Sequence, residues 1–428
     1  MKNLSIIFRS LLRHKLFTVL NLLGLTIGLT CVFMILLWVY NETGYDKFNE
    51  NYSNIYQINF KNQKGEMAMA GTPNPLAPIL EDEVASVKAA ARLRNAPEFA
   101  FKYNDNMFFE GKGITADPQI FDIFSFETIS GDPVKALEQS GSFVITESFA
   151  KRYFGNEDPL NKEIQVEGQD FLTVKAVLKD VPSQSHLQFD YILSQKLLEE
   201  YHFCGTEWGD PNFRTYVLLT KGSNPENAAQ EITRVAKLNG MPHLQSNQIV
   251  AFLRPLKSIY LDYSVNNRLG ETGDYRYLYI FSTVALLILL LACINFVNLT
   301  VSLFAKKQKS TSIKKVCGAS RKSVFLNHVA ENGSLIFVAF IFSLVLLWIL
   351  RDSFQNLLGK QFGEQIFDSG FAGIISLIFV VTLLICTIYP ATIFSGAKAI
   401  ELMHTSSKRK SGILKSMVVF QNIIAVLL

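Results

Sequence analysis

The sequence predicts a membrane protein with four α-helical transmembrane segments, a large extracytoplasmic α+β domain of two lobes, and an incomplete fifth helix at the C-terminus. Three observations predict this fold class. There are four long apolar runs, a polar stretch of mixed composition separates the first two, and basic residues are concentrated in the short loops beside the runs. With 49% hydrophobic residues and a mean hydropathy of +0.20, the chain is too apolar for an ordinary soluble protein.

The charge distribution divides the chain into two compartments. Residues 41–275 contain 22 Lys and Arg against 32 Asp and Glu, which gives a net charge of −10. The whole chain has 41 basic and 37 acidic residues, so the remainder has 19 basic and 5 acidic residues, or +14. Because cytoplasmic loops of membrane proteins carry an excess of Lys and Arg, the basic part is expected inside and the acidic part outside.

The four apolar runs predict the transmembrane helices. Each run is long enough to cross a hydrocarbon core of ~30 Å at 1.5 Å per residue, although the third is the shortest. With their flanks they give helices at residues 17–40, 276–305, 329–350 and 371–396. None of the runs contains a charged residue, which argues against a proton relay or a voltage sensor within these helices.

The loops complete the predicted organisation. The basic N-terminus precedes an apolar run too long for a signal peptide, and no A-x-A-like site follows that run, so we expect an uncleaved anchor. The remaining parts are a cytoplasmic N-terminus (1–16), the extracytoplasmic domain (41–275), a cytoplasmic loop (306–328), an outer loop (351–370), a second cytoplasmic loop (397–416) and the start of a truncated transmembrane helix (417–428).

The extracytoplasmic stretch has mixed strand and helix signals. Strands are predicted at residues 55–60, 143–146, 163–166 and 172–178, and a helix at 147–154 ends at Gly155. The clearest unit is strand–helix–strand: strands at 215–220 and 249–253 flank a helix that Asn224 caps, with Pro225 at its first position. This βαβ pattern predicts a small α+β lobe.

The motif search yields no catalytic, cofactor-binding or metal-binding residues. There is no G-x-x-x-x-G-K-[ST], no H-E-x-x-H, no G-x-S-x-G and no C-x-x-C. His202 and Cys204 are near neighbours, but two ligands do not make a metal site. Since Cys204 is the one cysteine of the extracytoplasmic stretch, no disulfide is expected within that domain. No nucleic-acid partner is expected.

Two groups of small or polar residues lie within the predicted helices. Gly24 and Gly28 form a G-x-x-x-G, which lets another helix approach closely, although glycine is also common in membrane helices. Asn295 and Asn298 are three residues apart and share a helix face, where amides are expected to hydrogen-bond another helix rather than a substrate.

The basic loop after the second apolar run is the third feature. Basic and apolar residues alternate there, which suggests a short amphipathic helix at the membrane surface. Two interpretations stay open from the residues alone. The helix either contacts lipid headgroups and sets the topology, or it is a docking helix for a cytoplasmic partner.

Several segments, in order, resemble the permeases of the MacB/FtsX class of ABC transporters. The resemblance covers essentially the whole chain, and each piece alone is weak, whereas their joint order is specific. The segments are HKLFTVLNLLGLTIGL, ETGYDKFNENYSNIYQI, IFDIFSFETISGDPVKAL, VITESFAKRYFGNEDPLNKEI, VLKDVPSQSHLQFDY, INFVNLTVSLFAKKQKSTSIKKVCGASRKSV and, near the end of the fourth run, YPA.

This resemblance implies a two-lobed outer domain, four helices per module and a separate cytoplasmic ABC ATPase that binds the ATP, so this chain itself needs no cofactor. The implied coupling residues are Lys309, Ile313, Lys314, Lys315, Gly318 and Ala319. The chain departs from the family pattern within the segment expected to contact the ATPase. It has Ser310, Thr311 and Ser312 where members usually have Glu-Val-Gly. Many relatives carry two modules, so a second module or a homodimer is expected as a partner.

The resemblance therefore favours a permease in the bacterial inner membrane, with its N-terminus in the cytoplasm. ATP hydrolysis in the partner would drive conformational work by the outer domain, and the partners would be the ATPase, membrane lipid and an envelope protein. A membrane-anchored sensor that needs no ATPase is the alternative from another class. A membrane-anchored enzyme ranks last, since no catalytic constellation is present. The cargo is not revealed.

Overall fold

The computed structural model describes residues 15–62, 64–65, 67–69, 71–104, 106–166, 170–200, 205, 207–209, 211–241, 249–262, 269–270, 272–316, 318–360, 362, 368–396, 419, 421–423 and 425–426. Residues 1–14 of the predicted cytoplasmic N-terminus, the predicted cytoplasmic loop at 397–416, the pair His202 and Cys204, and half of the truncated helix at 417–428 lie outside these residues. The chain divides into two compact units, a helical unit (Met1–Asn41 with Arg276–Leu428) and an outer unit (Glu42–Tyr275).

Eleven helices are present in the described residues, and we number them in chain order. They are α1 Lys15–Thr43, α2 Leu76–Glu83, α3 Ile120–Ile123, α4 Pro133–Leu137, α5 Glu147–Phe154, α6 Gln195–Glu200, α7 Pro225–Leu238, α8 Leu256–Ile259, α9 Tyr275–Val316, α10 Arg321–Leu358 and α11 Ser369–Gly396.

Thirteen strands are present in the described residues, all of them in the outer unit. They are β1 Ile55–Asn62, β2 Met67–Met69, β3 Val87–Asn95, β4 Phe99–Tyr103, β5 Asn106–Glu110, β6 Gly113–Ala116, β7 Thr128–Gly131, β8 Ser142–Thr146, β9 Glu163–Val166, β10 Asp170–Leu178, β11 Tyr191–Ser194, β12 Arg214–Leu219 and β13 Ile249–Pro255.

Four helices of the described chain are long and apolar enough to cross a membrane. They are α1, the first 29 residues of α9, α10 and the first 20 residues of α11. The predicted fold class, four membrane helices with one large mixed α/β domain, is thereby confirmed. Its division into two lobes and the fifth helix stay predictions.

The helical unit differs from the sequence prediction at the α9–α10 connection. We expected a separate short amphipathic helix within a loop at 306–328, and this prediction is wrong. Helix α9 continues without a break to Val316, and α10 begins at Arg321. The physical reason is that residues 304–316 contain neither glycine nor proline, the residues that most strongly interrupt a helix.

Helix α10 is also longer at its other end than predicted. Its last turns occupy residues 351–358, which the sequence predicts to lie in an outer loop, and Gly359 ends it with a left-handed φ of 64°. Among the described residues, the core of the helical unit is formed by apolar side chains from all four long helices. Examples are Leu29, Phe33, Phe296 and Ile336, each at most 2% exposed.

The strands of the outer unit form one continuous sheet. Eleven strands lie in the order β13-β1-β12-β3-β6-β11-β8-β10-β9-β4-β5, while β2 pairs with β1 and β7 pairs with β10. Three clusters of buried apolar side chains stabilise it. One is centred on β3, β6 and β12, a second lies under α2 and α7, and a third lies under α5.

The predicted strand–helix–strand unit is present but split. Strands β12 and β13 flank α7 in the sequence, yet they are not neighbours, because β1 lies between them and pairs antiparallel with both. The predicted cap is confirmed, since Asn224 Oδ1 accepts hydrogen bonds from the backbone N–H groups of Glu226 and Asn227 at 2.7 and 3.4 Å. The α7 side chains toward the sheet, including Ile232 and Val235, are buried.

A second crossover involves β8, α5 and β10. Strands β8 and β10 are parallel neighbours, and β9 returns antiparallel beside β10. Helix α5 is capped by Thr146, whose Oγ1 accepts from Phe149 N at 3.4 Å, and it ends at Gly155 with φ 63°. The predicted bounds of this helix match those observed.

Candidate functional site

The α9–α10 connection exposes two apolar side chains at the end of a basic helix. Ile313 and Val316 are 61% and 69% exposed, and they lie three residues apart on one helix face. Ser312 beside them is 1% exposed, so the opposite side of this turn is covered. The predicted coupling residues Lys309, Lys314 and Lys315 lie on the same helical turns, and only their backbone is described.

A sharp turn between α9 and α10 follows this exposed face. Gly318 has φ +96°, a left-handed conformation that L side chains rarely adopt, and an added Cβ there would meet open space. Ala319 is half-buried. Ser320 then caps α10, because its Oγ accepts from Ser323 N at 3.2 Å. The structure thus places Ile313, Gly318 and Ala319 in one helix–turn–helix connection.

The two glycines of α1 lie against α9. A Cβ built at Gly28 would be 2.6 Å from Ala292 Cβ, and a Cβ at Gly24 would be 3.2 Å from Asn295 Nδ2. The two helix backbones therefore approach each other where side chains are small, which is the packing that G-x-x-x-G permits. Asn295 lies at this contact, as part of the α1–α9 packing.

Asn298 lies one turn further along α9 and points to a different neighbour. Its Nδ2 donates to Gln421 Oε1 at 3.4 Å, while its Oδ1 is buried without a hydrogen-bond partner among the described residues. Gln421 belongs to the C-terminal apolar segment. Asn295 and Asn298 therefore contact different parts of the chain, although they share a helix face.

A buried polar network in the outer unit was missed by the sequence analysis. His186 Nδ1 lies 2.8 Å from Asp46 Oδ1, and His186 Nε2 lies 2.8 Å from the hydroxyl of Tyr216, within hydrogen-bond distance. Gln57 Nε2 also donates to that hydroxyl at 3.3 Å. Asp46, His186 and Tyr216 are at most 4% exposed. Burial, followed by the charge of Asp46, raises the pKa of Tyr216 above its ordinary value.

Hydrogen bonds bring together the four outer-domain segments that carry the resemblance. Asp46 N donates to Gln184 O at 2.7 Å, and His186 N donates to Asp46 Oδ1 at 3.1 Å. Ser125 N donates to Asn49 Oδ1 at 2.9 Å. The fourth segment joins through Ser148, whose backbone N–H and hydroxyl bind the two carboxylate oxygens of Asp180 at 2.9 and 2.5 Å. The joint occurrence of the four segments in the sequence was the signal that could have indicated this network. The hydrogen bonds between the segments could not be predicted from the sequence.

A second carboxylate of the outer unit is also held by an aromatic side chain. The Tyr260 hydroxyl donates to Glu42 Oε2 at 2.7 Å, and the Tyr260 ring stacks on Tyr45 with ring centroids 3.4 Å apart. Burial, followed by the charge of Glu42, raises the pKa of Tyr260. In the part of the chain that the structure describes, no three His, Cys, Asp or Glu side chains are grouped to hold a metal ion.

Two family models match the chain. The MacB-like periplasmic core domain matches residues 18–235, which is just over half of the 428 residues, and the FtsX-like permease C-terminal domain matches residues 282–400. Together they define a multi-pass membrane permease with a large extracellular domain. The chain belongs to the MacB/FtsX-type permease family.

Several solved structures are similar to part of this chain. A domain of a candidate permease protein from Porphyromonas gingivalis has 20% identity and a TM-score of 0.43, with 52% of this chain and 96% of that chain covered. The periplasmic region of MacB from Actinobacillus actinomycetemcomitans has 16% identity and a TM-score of 0.38, with 50% and 92% covered.

The extracellular domain of the noncanonic ABC-type transporter YknZ from Gram-positive bacteria has 15% identity and a TM-score of 0.36, with 46% of this chain and 99% of that chain covered. No curated protein sequence matches the chain significantly.

Proposed function

We propose that the chain is the membrane subunit of an ABC transporter and that a separate cytoplasmic ATPase docks on the α9–α10 connection. The observation that carries this proposal is the pair Ile313 and Val316, which are 61% and 69% exposed on a helix rich in lysine. Apolar side chains exposed within a polar rim are typical of protein docking sites. A basic surface around them would also orient an acidic partner.

Helix α9 suggests how the contact would do work. It has 42 residues, from the last residue of the outer unit to the connection, and at 1.5 Å per residue it is about 63 Å long. The ~30 Å hydrocarbon core accounts for half of that length. A push on the connection would therefore be transmitted along one continuous helix, and α1 would move with it through the Gly28–Ala292 contact.

The membrane orientation follows from the same proposal. The basic connection would lie in the cytoplasm, the N-terminus would lie on the same side, and the acidic outer unit would face the cell envelope. A second module or a homodimer would complete the transporter in the bacterial inner membrane. The work of the outer unit would serve export or extraction of a peptide, drug or lipoprotein, or control of envelope enzymes.

The test is co-purification of the full-length protein from its own cells in mild detergent, scored for a bound ATPase and for ATP hydrolysis. We expect a stoichiometric ATPase with the unchanged chain and its loss from the variants Ile313→Glu/Val316→Glu and Lys314→Glu/Lys315→Glu. The matched control is Ile129→Glu, an apolar side chain 52% exposed on β7 of the outer unit, which should retain the ATPase.

Two results would contradict the proposal. If no ATPase accompanies the folded unchanged chain, the sensor alternative replaces it. If the ATPase remains bound to both connection variants, the docking site is elsewhere on the protein.

A further inference from the structure

One edge of the outer sheet is open beside a helix. Strand β13 is the last strand at this end of the sheet and pairs with β1 alone among the described strands. Helix α7 packs next to it, so a groove runs between the helix and the strand. The groove has two parts, of about 630 and 580 Å³, which share Pro225, Glu226 and Leu253 as lining residues.

The register of β13 shows which backbone groups face the open edge. Ala251 N donates to the Thr233 hydroxyl of α7 at 2.9 Å, so the backbone of Ala251 points away from β1. In an antiparallel pair the backbone N–H and C=O groups of every second residue point away from the partner strand. The backbone groups of Leu253 and Pro255 therefore also face the open side of β13. Pro255 supports this register, because a proline without an N–H costs no ladder bond there.

Some of the backbone groups on the open side are already bonded within the described part of the chain. Ala251 N–H donates to Thr233 Oγ1, and Pro255 C=O accepts from Ser258 Oγ at 2.9 Å. Leu253 lies between them, and its N–H and C=O face the side on which an additional strand would pair. The edge is also apolar, since Val250 is 37% exposed and Phe252 and Leu253 are half-buried. Soluble domains usually protect such an edge with charges, bulges or a covering element.

Charged side chains line the groove in a specific order. Lys61, opposite Val250 in the register, lies at one end, and Lys257, two residues past β13, lies at the other. At ~3.3 Å per residue they are roughly 20 Å apart along the strand, the length of six or seven extended residues. Glu226 lies between them, in both parts of the groove.

The net charge of the groove is opposite in sign to the net charge of the surrounding domain. Residues 41–275 carry −10 overall, whereas the groove is lined by two lysines and one glutamate. A negatively charged segment would therefore be attracted to the groove and repelled by most of the rest of the domain. The apolar β13 side chains and the Tyr52 and Tyr56 rings would contact its uncharged residues.

We propose that the groove between α7 and β13 binds an extended segment of a partner protein as an additional strand on β13. The bound segment has acidic side chains at both ends, opposite Lys61 and Lys257, and a basic side chain near its middle, opposite Glu226. This mode of binding, in which main-chain bonds give affinity and side chains give specificity, is strand addition. It goes beyond the proposed coupling to an ATPase and does not depend on it.

The test uses the full-length protein in detergent and fluorescence anisotropy of labelled, end-blocked heptapeptides. The probe is Asp-Val-Thr-Lys-Thr-Val-Asp, and its charge-reversed counterpart is Lys-Val-Thr-Glu-Thr-Val-Lys. We expect saturable binding of the probe and binding of the counterpart at least about tenfold weaker. A probe N-methylated at alternate residues, which removes main-chain donors, should also bind about tenfold more weakly.

Protein variants complete the test without disturbing the core. Lys61→Glu/Lys257→Glu should invert the preference, so that the counterpart binds more tightly than the probe. The matched control is Lys88→Glu/Lys221→Glu, which changes two lysines of the same domain outside the groove and should leave the preference unchanged.

Four outcomes of the peptide experiments overturn the proposal. They are no saturable binding of the probe, equal binding of the two peptides, no effect of N-methylation, and an unchanged preference in Lys61→Glu/Lys257→Glu. Dimerisation of the chain that is lost when Gln230 is changed to Trp to fill the groove would assign the edge to a second copy, and it would also overturn the partner proposal.

Discussion

Asp46 shows at the residue scale how one side chain can tie distant segments together. It has a left-handed φ of 62°, which is uncommon for a residue other than glycine. Its carboxylate accepts from Ser185 Oγ at 3.4 Å and from His186 N, and it lies beside the His186 ring. The strained backbone is maintained because these contacts hold the side chain in one position.

We predict that Asp46→Ala destabilises the outer unit by about 2–4 kcal/mol, since it leaves buried donors of residues 185 and 186 without an acceptor. The measurement is the midpoint of thermal unfolding of the full-length protein, with hydrogen exchange of the segments 42–58 and 177–191. Asp122→Ala, at an exposed carboxylate of the same unit, is the control and should change neither quantity. Unchanged exchange in Asp46→Ala would show that the network does not connect the segments.

The Gly28–Ala292 contact gives a second residue-scale prediction. Gly28→Ala puts a Cβ 2.6 Å from Ala292 Cβ, so the helices must separate, and we expect a loss of about 1–3 kcal/mol. Gly373→Ala on α11, where an added Cβ meets nothing within 4 Å, is the matched control and should be neutral or slightly stabilising.

The thermal stability of Gly28→Ala and Gly373→Ala is measured in detergent by monitoring intrinsic fluorescence. Ala292→Gly should restore the stability of Gly28→Ala, because it removes the atom that the new methyl group meets. If Gly28→Ala and Gly373→Ala are equally stable, the close approach of α1 and α9 is not a feature of the protein in solution.

At the scale of secondary structure, the most informative feature is the length of α9, the longest helix of the described residues. Its continuation past Phe304 depends on what the sequence lacks, since no glycine or proline interrupts it before Gly318. By the resemblance, a glycine would be usual at the position of Ser312, so the serine found there favours an uninterrupted helix. A serine costs less helix stability than a glycine.

We predict that Thr311→Pro interrupts α9 and reduces ATP hydrolysis coupled to the transporter, if the proposed function is correct. Proline within a helix costs about 3 kcal/mol and kinks it, so a push on the connection would no longer reach the membrane. Thr311→Ala keeps the helix and should retain hydrolysis by the co-purified complex. Equal hydrolysis in the two variants would argue against transmission through α9.

At the scale of the whole molecule, the outer unit contains four buried tyrosines that lie near carboxylates. Burial raises the pKa of Tyr153, Tyr191, Tyr216 and Tyr260 above the ordinary value of about 10, and neighbouring carboxylates raise it further. The folded state therefore keeps these hydroxyls protonated at a pH where the unfolded chain releases the protons. Their contribution to stability is complete below pH 10.

We predict that the outer unit loses stability steeply as the pH rises above about 10. The measurement is circular dichroism of the full-length protein during thermal unfolding between pH 8 and pH 11. Tyr216→Phe has no group to ionise at this position, so its stability should fall less steeply over this range, although it is lower at pH 8. A parallel decline in both proteins would assign the alkaline loss to other groups.

The local features of the fold were predictable because they depend on neighbouring residues. Apolar runs, the balance of Lys and Arg, the Asn224 cap and the Gly155 stop each act within a few positions, and the structure shows the expected helices at those places. A helix was also expected around Ile313 and Val316. Their segment was expected to be a separate short helix, and the structure shows it as the end of the continuous helix α9.

The sequence by itself determined that this protein has four membrane helices, one large acidic α/β domain and a basic connection between the second and third helices. Only the tertiary structure decided that β1 separates β12 from β13, that Asp46 meets His186, and that β13 leaves an open edge beside α7. The physical reason is the separation along the chain of the residues that determine each feature. Hydrophobic period and charge are properties of short segments, whereas strand order and buried polar contacts depend on which distant segments exclude water together.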